Sequence, residues 1–341
     1  MPKSRMTIQD IADAVGVSKT TVSRYFNGKY NYMSDETRRK IEKVIRETGF
    51  CPNKLASSLK TARTDMIGLV IPDASSMMTP YLISSVCDEC ALTRRRTIVV
   101  STHNDVDKEQ RLVQELVANQ VDGILVATGS YLPLYQQLDE SGVPVVYVDR
   151  VSPTGIKLDS VTIDHYTACS KAVNKLIDSG YQRIVFTLRA SMDGYGTFAP
   201  RDEAVRAVCA KRGVKYEKVL ANDSFFGDPL LFRKEMKRIY DRCYGEPTAL
   251  FSGEGILMAY MVSAFLGMGV PFGEDFTLAG YDDTRQAAAN GRNLLLINQP
   301  QRQMSTMGTR MLIGRIENNL TNKEKVLCSL ECSLAIPEQF A

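Results

Sequence analysis

The sequence predicts a small all-α head joined to a two-lobed α/β body with parallel sheets. Three observations carry this. The first fifty residues hold three capped helical segments, with a glycine turn between the first two. From Met66 onward, apolar runs alternate with helical stretches in two successive series of similar size. The charge also divides at the junction: residues 1–63 balance at +7 and residues 64–341 at −4, within a total of +3. At 341 residues the chain has length for two domains and a fraction of a third.

The head is read first. Thr7 caps a helix beginning near Ile8, with Asp10 in its first turn and Ile8, Ile11, Ala12 and Val15 at helical spacing. Gly16 allows the left-handed backbone of a tight turn. Ser18 caps a second helix over 19–26, with Val17 and Val22 as anchors, and Asn27-Gly28 ends it. Ser34 caps a third, whose apolar stripe is Ile41, Val44 and Ile45. Three short helices with this turn describe a helix-turn-helix. Its second helix carries Ser18, Lys19, Thr20, Thr21, Ser23 and Arg24. Lys19, Thr20 and Arg24 suit base edges in a major groove, whereas Ser18, Thr21 and Ser23 suit phosphate or capping. Charge alone leaves both nucleic acid and an anionic membrane surface open as partners. The bland alternative is an interaction module whose charge is a solvated face.

Residues 51–63 follow. Pro52 interrupts the third helix, and Asn53 caps a short helix over 54–59 that is too short to be stable alone. Leu59 is the apolar residue suited to wedge into an opened minor groove; the alternative is a plain linker with Leu59 packed on the body.

In the body, strands are predicted at 66–71, 97–101, 123–127 and 143–148, separated by helices reaching about 94, 119 and 140. A second series begins near Asp164: helix 166–179, then strands at 183–187, 218–220, 249–251, 277–280 and 294–297, with helices between and a long one over 301–319. Two such series imply two lobes with a cleft. Ligands of parallel sheets sit beyond the carboxyl ends of the strands. The candidate cleft residues, suited to a polar ligand, are therefore Asp73, Met78, Thr79, Tyr131, Asp149, Asp164, Arg189, Arg201, Glu254 and Asp282. Several of the aspartates could equally be caps.

Other chemistries find little support. GxGxxG, Walker A, GxSxG and HExxH patterns are absent from the sequence, so an enzyme is not expected and no cofactor is called for. His103 and His165 read as structural or incidental. Cys87 and Cys90 form a CxxC inside a helix, without a second pair at zinc spacing, and the eight cysteines suit a reducing cytoplasm. The start MPKSRMTIQDIADAVG has no apolar core for export, and no run spans a membrane.

With these residues in place, the chain resembles the LacI/GalR family of bacterial transcription regulators. The resemblance rests on TIQDIADAVGVSKTTVSRYFNGK and MSDETRRKIEKVIRETGFCPNKLASSLK in the head. The body adds MIGLVIPD, VDGILVATG, GVPVVYVDR, GYQRI, PTALF, LAGYDD and LINQP. It implies a periplasmic-binding-protein-like body, a cytoplasmic, nucleoid-associated homodimer on near-palindromic double-stranded operator DNA, and a small polar effector such as a sugar or sugar acid. Lys19, Thr20 and Arg24 match the family's base-reading positions; Asn53, Ala56 and Leu59 match its hinge helix. Arg201 and Asp282 match positions that bind effector polar groups, and Asp164 lies in VTIDHY, which looks like the crossover into the second lobe.

The implied layout is a head over 1–50, a hinge over 51–63 and a body over 64–338. Lobe one covers about 65–162 and 299–326, and lobe two about 163–298 and 327–338. The sequence departs from the family pattern at Gly253-Glu254, where an Asn-Asp pair is common, at His165, where Asn is usual, and around Met77, Met78 and Thr79. No heptad tail follows Pro337, so a dimer is expected. The competing reading is a non-enzymatic solute-binding or sensory protein whose basic head serves another interaction.

Overall fold

The computed structural model describes residues 6–50, 63–74, 79–130, 132–151, 157–193, 196–273, 275–281, 294–318 and 324–337. The chain divides into two compact units, Met1–Thr64 and Asp65–Ala341.

Among its described residues the first unit has three helices, α1 (Ile8–Val15), α2 (Lys19–Phe26) and α3 (Asp35–Thr48), with a single 3₁₀ turn at Tyr30–Tyr32. Local chemistry sets each start. Thr7 accepts the Asp10 N–H while the Asp10 carboxylate accepts the Thr7 N–H at 2.6 Å, a reciprocal capping box. Ser18 accepts the N–H of Thr21, and Ser34 that of Thr37. Gly16, at φ +74°, ends α1 in the left-handed region and turns the chain into α2. Ile11, Ala12, Val22 and Ile41 are fully buried, and Val15, Val17, Phe26, Val44, Ile45 and Phe50 pack around them. The expected helix-turn-helix and its anchors are present.

The second unit carries two six-stranded sheets among the described residues. The first contains β1 (Met66–Ile71), β2 (Arg96–Ser101), β3 (Gly123–Val126), β4 (Val145–Val148), β5 (Asp159–Ile163) and β11 (Leu327–Leu330), in the order β11-β5-β4-β3-β1-β2. All its pairings are parallel. The second contains β6 (Arg183–Arg189), β7 (Lys215–Ala221), β8 (Thr248–Ser252), β9 (Phe276–Tyr281), β10 (Leu295–Asn298) and β12 (Ser333–Ala335), in the order β12-β10-β9-β8-β6-β7. Only β12 runs antiparallel to its neighbour. The central strands are buried along their length, as parallel strands covered on both faces must be.

Helices cover the sheets. On the first lie α4 (Thr79–Leu92), α5 (Val106–Ala118), α6 (Pro133–Glu140) and, late in the chain, α11 (Gln301–Asn318). The second carries α7 (His165–Asp178), α8 (Phe198–Arg212), α9 (Pro229–Cys243) and α10 (Gly255–Gly267). In α11, Met304 and Leu312 are fully buried while Met307 and Met311 pack partly buried on the same core, so the methionines form a packing face.

The chain passes between lobes three times: from β5 to α7, from β10 to α11, and from β11 to β12. The crossings are tied to one another. The Asp164 N–H donates to the Leu330 carbonyl at 3.1 Å, and the Asn298 amide donates to the Ser333 hydroxyl. One expectation is corrected here. Residues 327–330 belong to the first lobe, because β11 pairs in parallel with β5 from Leu327 opposite Ser160 to Leu330 opposite Ile163. Only from Ser333 does the tail join the second sheet. Two strands so short are invisible to periodicity and exist because an edge was open to pair with.

Candidate functional site

The second helix of the head presents its polar residues unequally. Lys19, Thr20 and Arg24 are exposed and fall within about 140° of arc on the helix. Thr21 and Ser23 are half-buried. The Ser18 and Thr21 hydroxyls lie 3.0 Å apart and serve the cap. Arg24 lies over the exposed Tyr32 ring, 4.9 Å from its centroid. Asn53, Ala56 and Leu59 lie outside the described residues.

In the body, strand order reverses around β1 in the first sheet and around β6 in the second, so each has a crevice at its carboxyl edge. Of the expected residues that are described, Asp73, Asp149, Asp164, Arg189 and Glu254 end or follow strands, while Thr79 and Arg201 lie in helices. Asp73 is half-buried after β1, and Thr79 is buried at the start of α4. Asp149 follows β4 at φ +63°, a left-handed backbone rare outside glycine. Its Oδ2 pairs with Arg150, while its Oδ1 is buried without a hydrogen-bond partner. Asp164 caps α7 by accepting the Thr167 N–H at 2.9 Å. The Thr167 hydrogen bonds hold its carboxyl below the usual range, so this aspartate is a cap first. Met78, Tyr131 and Asp282 lie outside the described residues.

Arg189 and Glu254 meet after β6 and β8. The Arg189 guanidinium donates to both Glu254 oxygens at 2.7–2.9 Å, and its backbone N–H donates to the same carboxylate. Burial lowers the Arg189 pKa, but Glu254, Asp223 and Asp73 outweigh it and raise the group above its ordinary value. Glu254 therefore neutralises Arg189 and holds its Nε–H and one Nη2–H in a charge-assisted fork.

Arg201 is set differently. It is only 4% exposed. Its Nε donates to His165 Nδ1 at 3.1 Å, and its Nη1 donates to the Gly253 carbonyl at 2.5 Å. Its guanidinium carbon sits 3.8 Å from the centroid of Tyr281 and 4.8 Å from that of Phe198. Among the described residues no carboxylate lies within ion-pair distance of it. Gly253 is required at this spot, because a Cβ there would meet the Phe186 ring at 2.8 Å.

His165 is the residue the sequence reading underrated. It opens α7, is 4% exposed, and lies 3.1 Å through Nδ1 from the Tyr281 hydroxyl. Burial first, then the Arg201 and Arg150 charges, holds its pKa well below the ordinary value, so the imidazole is neutral. Burial also pushes the Cys169 and Cys332 thiols up to about 12, so neither is a nucleophile at neutral pH. The available signal for His165 was its place in VTIDHY, where the family usually has Asn. Tyr281 carried no signal of its own, since its role comes from the ring face it offers Arg201.

Among the described residues, no group of three or more His, Cys, Asp and Glu side chains could hold a metal ion, and no helix is long and apolar enough to cross a membrane.

The comparisons agree with this architecture. Residues 7–53 match the model of bacterial regulatory proteins of the lacI family, and residues 67–319 match a periplasmic binding protein domain. The chain is 28% identical over 325 residues to a probable HTH-type transcriptional regulator, EndR, of Paenibacillus polymyxa, covering 94% of this chain and 93% of that one. Its fold is similar to that of a transcriptional regulator CelR–cellobiose complex, at TM-score 0.68 and 25% identity over 98% of this chain and 100% of the other. It is also similar to the lac repressor dimer bound to operator and the anti-inducer ONPF, at TM-score 0.80 and 18% identity over 99% of each chain. Head, body and full-length relatives converge: the chain belongs to the lacI family of bacterial regulatory proteins, DNA-binding transcriptional regulators with effector-binding lobes.

Proposed function

We propose that this protein is a dimeric repressor of a near-palindromic operator whose affinity is set by a sugar or sugar acid bound between the two lobes. The observation that carries the effector half is Arg201. A buried guanidinium stacked on Tyr281, with N–H groups left over, is a recognition group for oxygen-rich ligands. The cellobiose held by the CelR relative supports a saccharide-like ligand. Asp73 and Asp149 on the first lobe supply acceptors for hydroxyl groups.

For DNA, α2 enters the major groove. Lys19, Thr20 and Arg24 read base edges, while Ser18, Thr21 and Ser23 hold the helix and touch phosphates. Asn53, Ala56 and Leu59 form the hinge, with Leu59 as a minor-groove wedge. Effector binding biases the lobes, and the lobes bias the hinge, provided the ligand binds the two states unequally.

The test has two arms. Selection from random duplexes should return a two-fold symmetric site, and equal affinity for all duplexes would end the repressor reading. Arg201→Lys keeps the charge and loses the planar fork. It should abolish the thermal shift given by the sugars and sugar acids that stabilise the native chain; an unchanged shift would remove Arg201 from the site.

A further inference from the structure

The buried His165–Arg201–Tyr281 cluster holds one detail that the general effector reading does not use. An arginine N–H can only donate, so His165 Nδ1 must accept the bond from Arg201 Nε. That fixes the imidazole proton on Nε2. His165 Nε2 is shut off from solvent and has no hydrogen-bond partner among the described residues. A buried N–H without an acceptor costs free energy, so such a group in a native structure calls for an explanation. The donors next to it also point to a particular ligand. Arg201 uses two of its five N–H groups on His165 and Gly253 and carries a positive charge with no described carboxylate in reach. Arg189 does not share this role, because the Glu254 carboxylate neutralises its charge. The second lobe thus offers donors and net positive charge, while the first lobe offers Asp73 and the unpartnered Asp149 Oδ1.

We propose that His165 determines effector specificity. Through Nδ1 it fixes the Arg201 fork, and through Nε2–H it adds a donor, so that the pair selects the carboxylate end of a polyhydroxy acid whose hydroxyls face the first lobe. This rests on the effector-responsive reading and narrows its ligand to an aldonate or uronate. Nε2 is covered in this arrangement of the lobes, so engagement goes with a shift of the side chains over it. Asparagine at this position could still accept from Arg201 Nε, but its shorter side chain does not reach where Nε2 does.

The chain has two histidines, which makes the test direct. In protein labelled with ¹⁵N-histidine, His103→Gln assigns the two rings. His165 should appear as the neutral Nε2–H tautomer. D-gluconate or D-galacturonate should shift its Nε2–H resonance, and D-glucose and cellobiose at equal concentration should not. His165→Asn should weaken binding of the acid about tenfold or more, the cost of one hydrogen bond to a charged group. His165→Gln serves if the Asn variant does not fold. An Nδ1–H tautomer, a bound acid that leaves Nε2–H unmoved, or an Asn variant with native affinity would overturn the role of His165 and leave the effector reading standing. Binding of neutral sugars alone would overturn the acid selectivity. Absence of any thermal response to acids and neutral sugars alike would overturn both.

Discussion

At the scale of single residues, burial decides what each charged group is for. His165 and Arg201 are equally hidden, yet one is kept neutral and the other keeps its charge. The histidine has a consequence for stability. Its folded pKa lies well below the ordinary value near 6.5, so the unfolded chain binds the proton more readily than the folded one. Stability is full above that value and falls as the pH drops below it, until the folded pKa is reached. Urea unfolding at about pH 7 and about pH 5 should differ by up to about 2 kcal/mol from this group. His165→Asn should flatten the difference over that window; an unchanged pH profile would mean the imidazole is not buried as neutral. Arg189 and Glu254 make the complementary case. Two residues that sequence position offers to a ligand spend their hydrogen bonds on each other instead.

At the scale of elements, capping fixes where the head's helices begin and close packing fixes where the sheets meet. The first turn of α2 depends on Ser18, whose hydroxyl accepts the Thr21 N–H. Ser18→Ala should lower head stability by about 1 kcal/mol, read as a lower melting temperature of the head transition. A loss far below that would mean water replaces the cap without cost. In the second lobe, Gly280 at φ +130° lets β9 approach β8: a Cβ there would sit 2.1 Å from the Ser252 carbonyl oxygen. That approach brings Tyr281, the next residue, to the strand end where Arg201 stacks on it. The element boundary and the site geometry have one cause.

At the scale of the whole molecule, a basic head of balance +7 and a body of balance −4 share one chain. Binding of the head to DNA releases counterions from the duplex, so affinity should fall steeply with salt. Raising salt from about 50 to about 200 mM should weaken operator binding by at least tenfold if several phosphates are contacted. A salt-independent affinity would rule out a phosphate-tracking head. The three crossings between lobes are bonded to one another through Asp164, Leu330, Asn298 and Ser333. They form one hydrogen-bonded crossing region, and His165 begins the helix that leaves it.

Much of this was legible in the sequence for a physical reason: caps, glycine turns and apolar period are local, and local signals need no partner to be read. Thr7, Ser18 and Ser34 named the helix starts of the head, and the apolar runs after Met66 named the central strands. The strands Asp159–Ile163, Leu327–Leu330 and Ser333–Ala335 were not read, because short segments become strands only by pairing with a distant neighbour. Asp73, Asp149, Asp164, Arg189 and Glu254 do end or follow strands as expected, but the partners each one takes were not legible. Sequence by itself determined the head, the alternating body, the charge division and the family. Only the tertiary structure decided that Glu254 occupies Arg189, that Arg201 rests on His165 and Tyr281, and that the last strands divide between the lobes. Those outcomes depend on contacts between residues 35 to 167 positions apart, and no local pattern encodes which of many possible partners will meet.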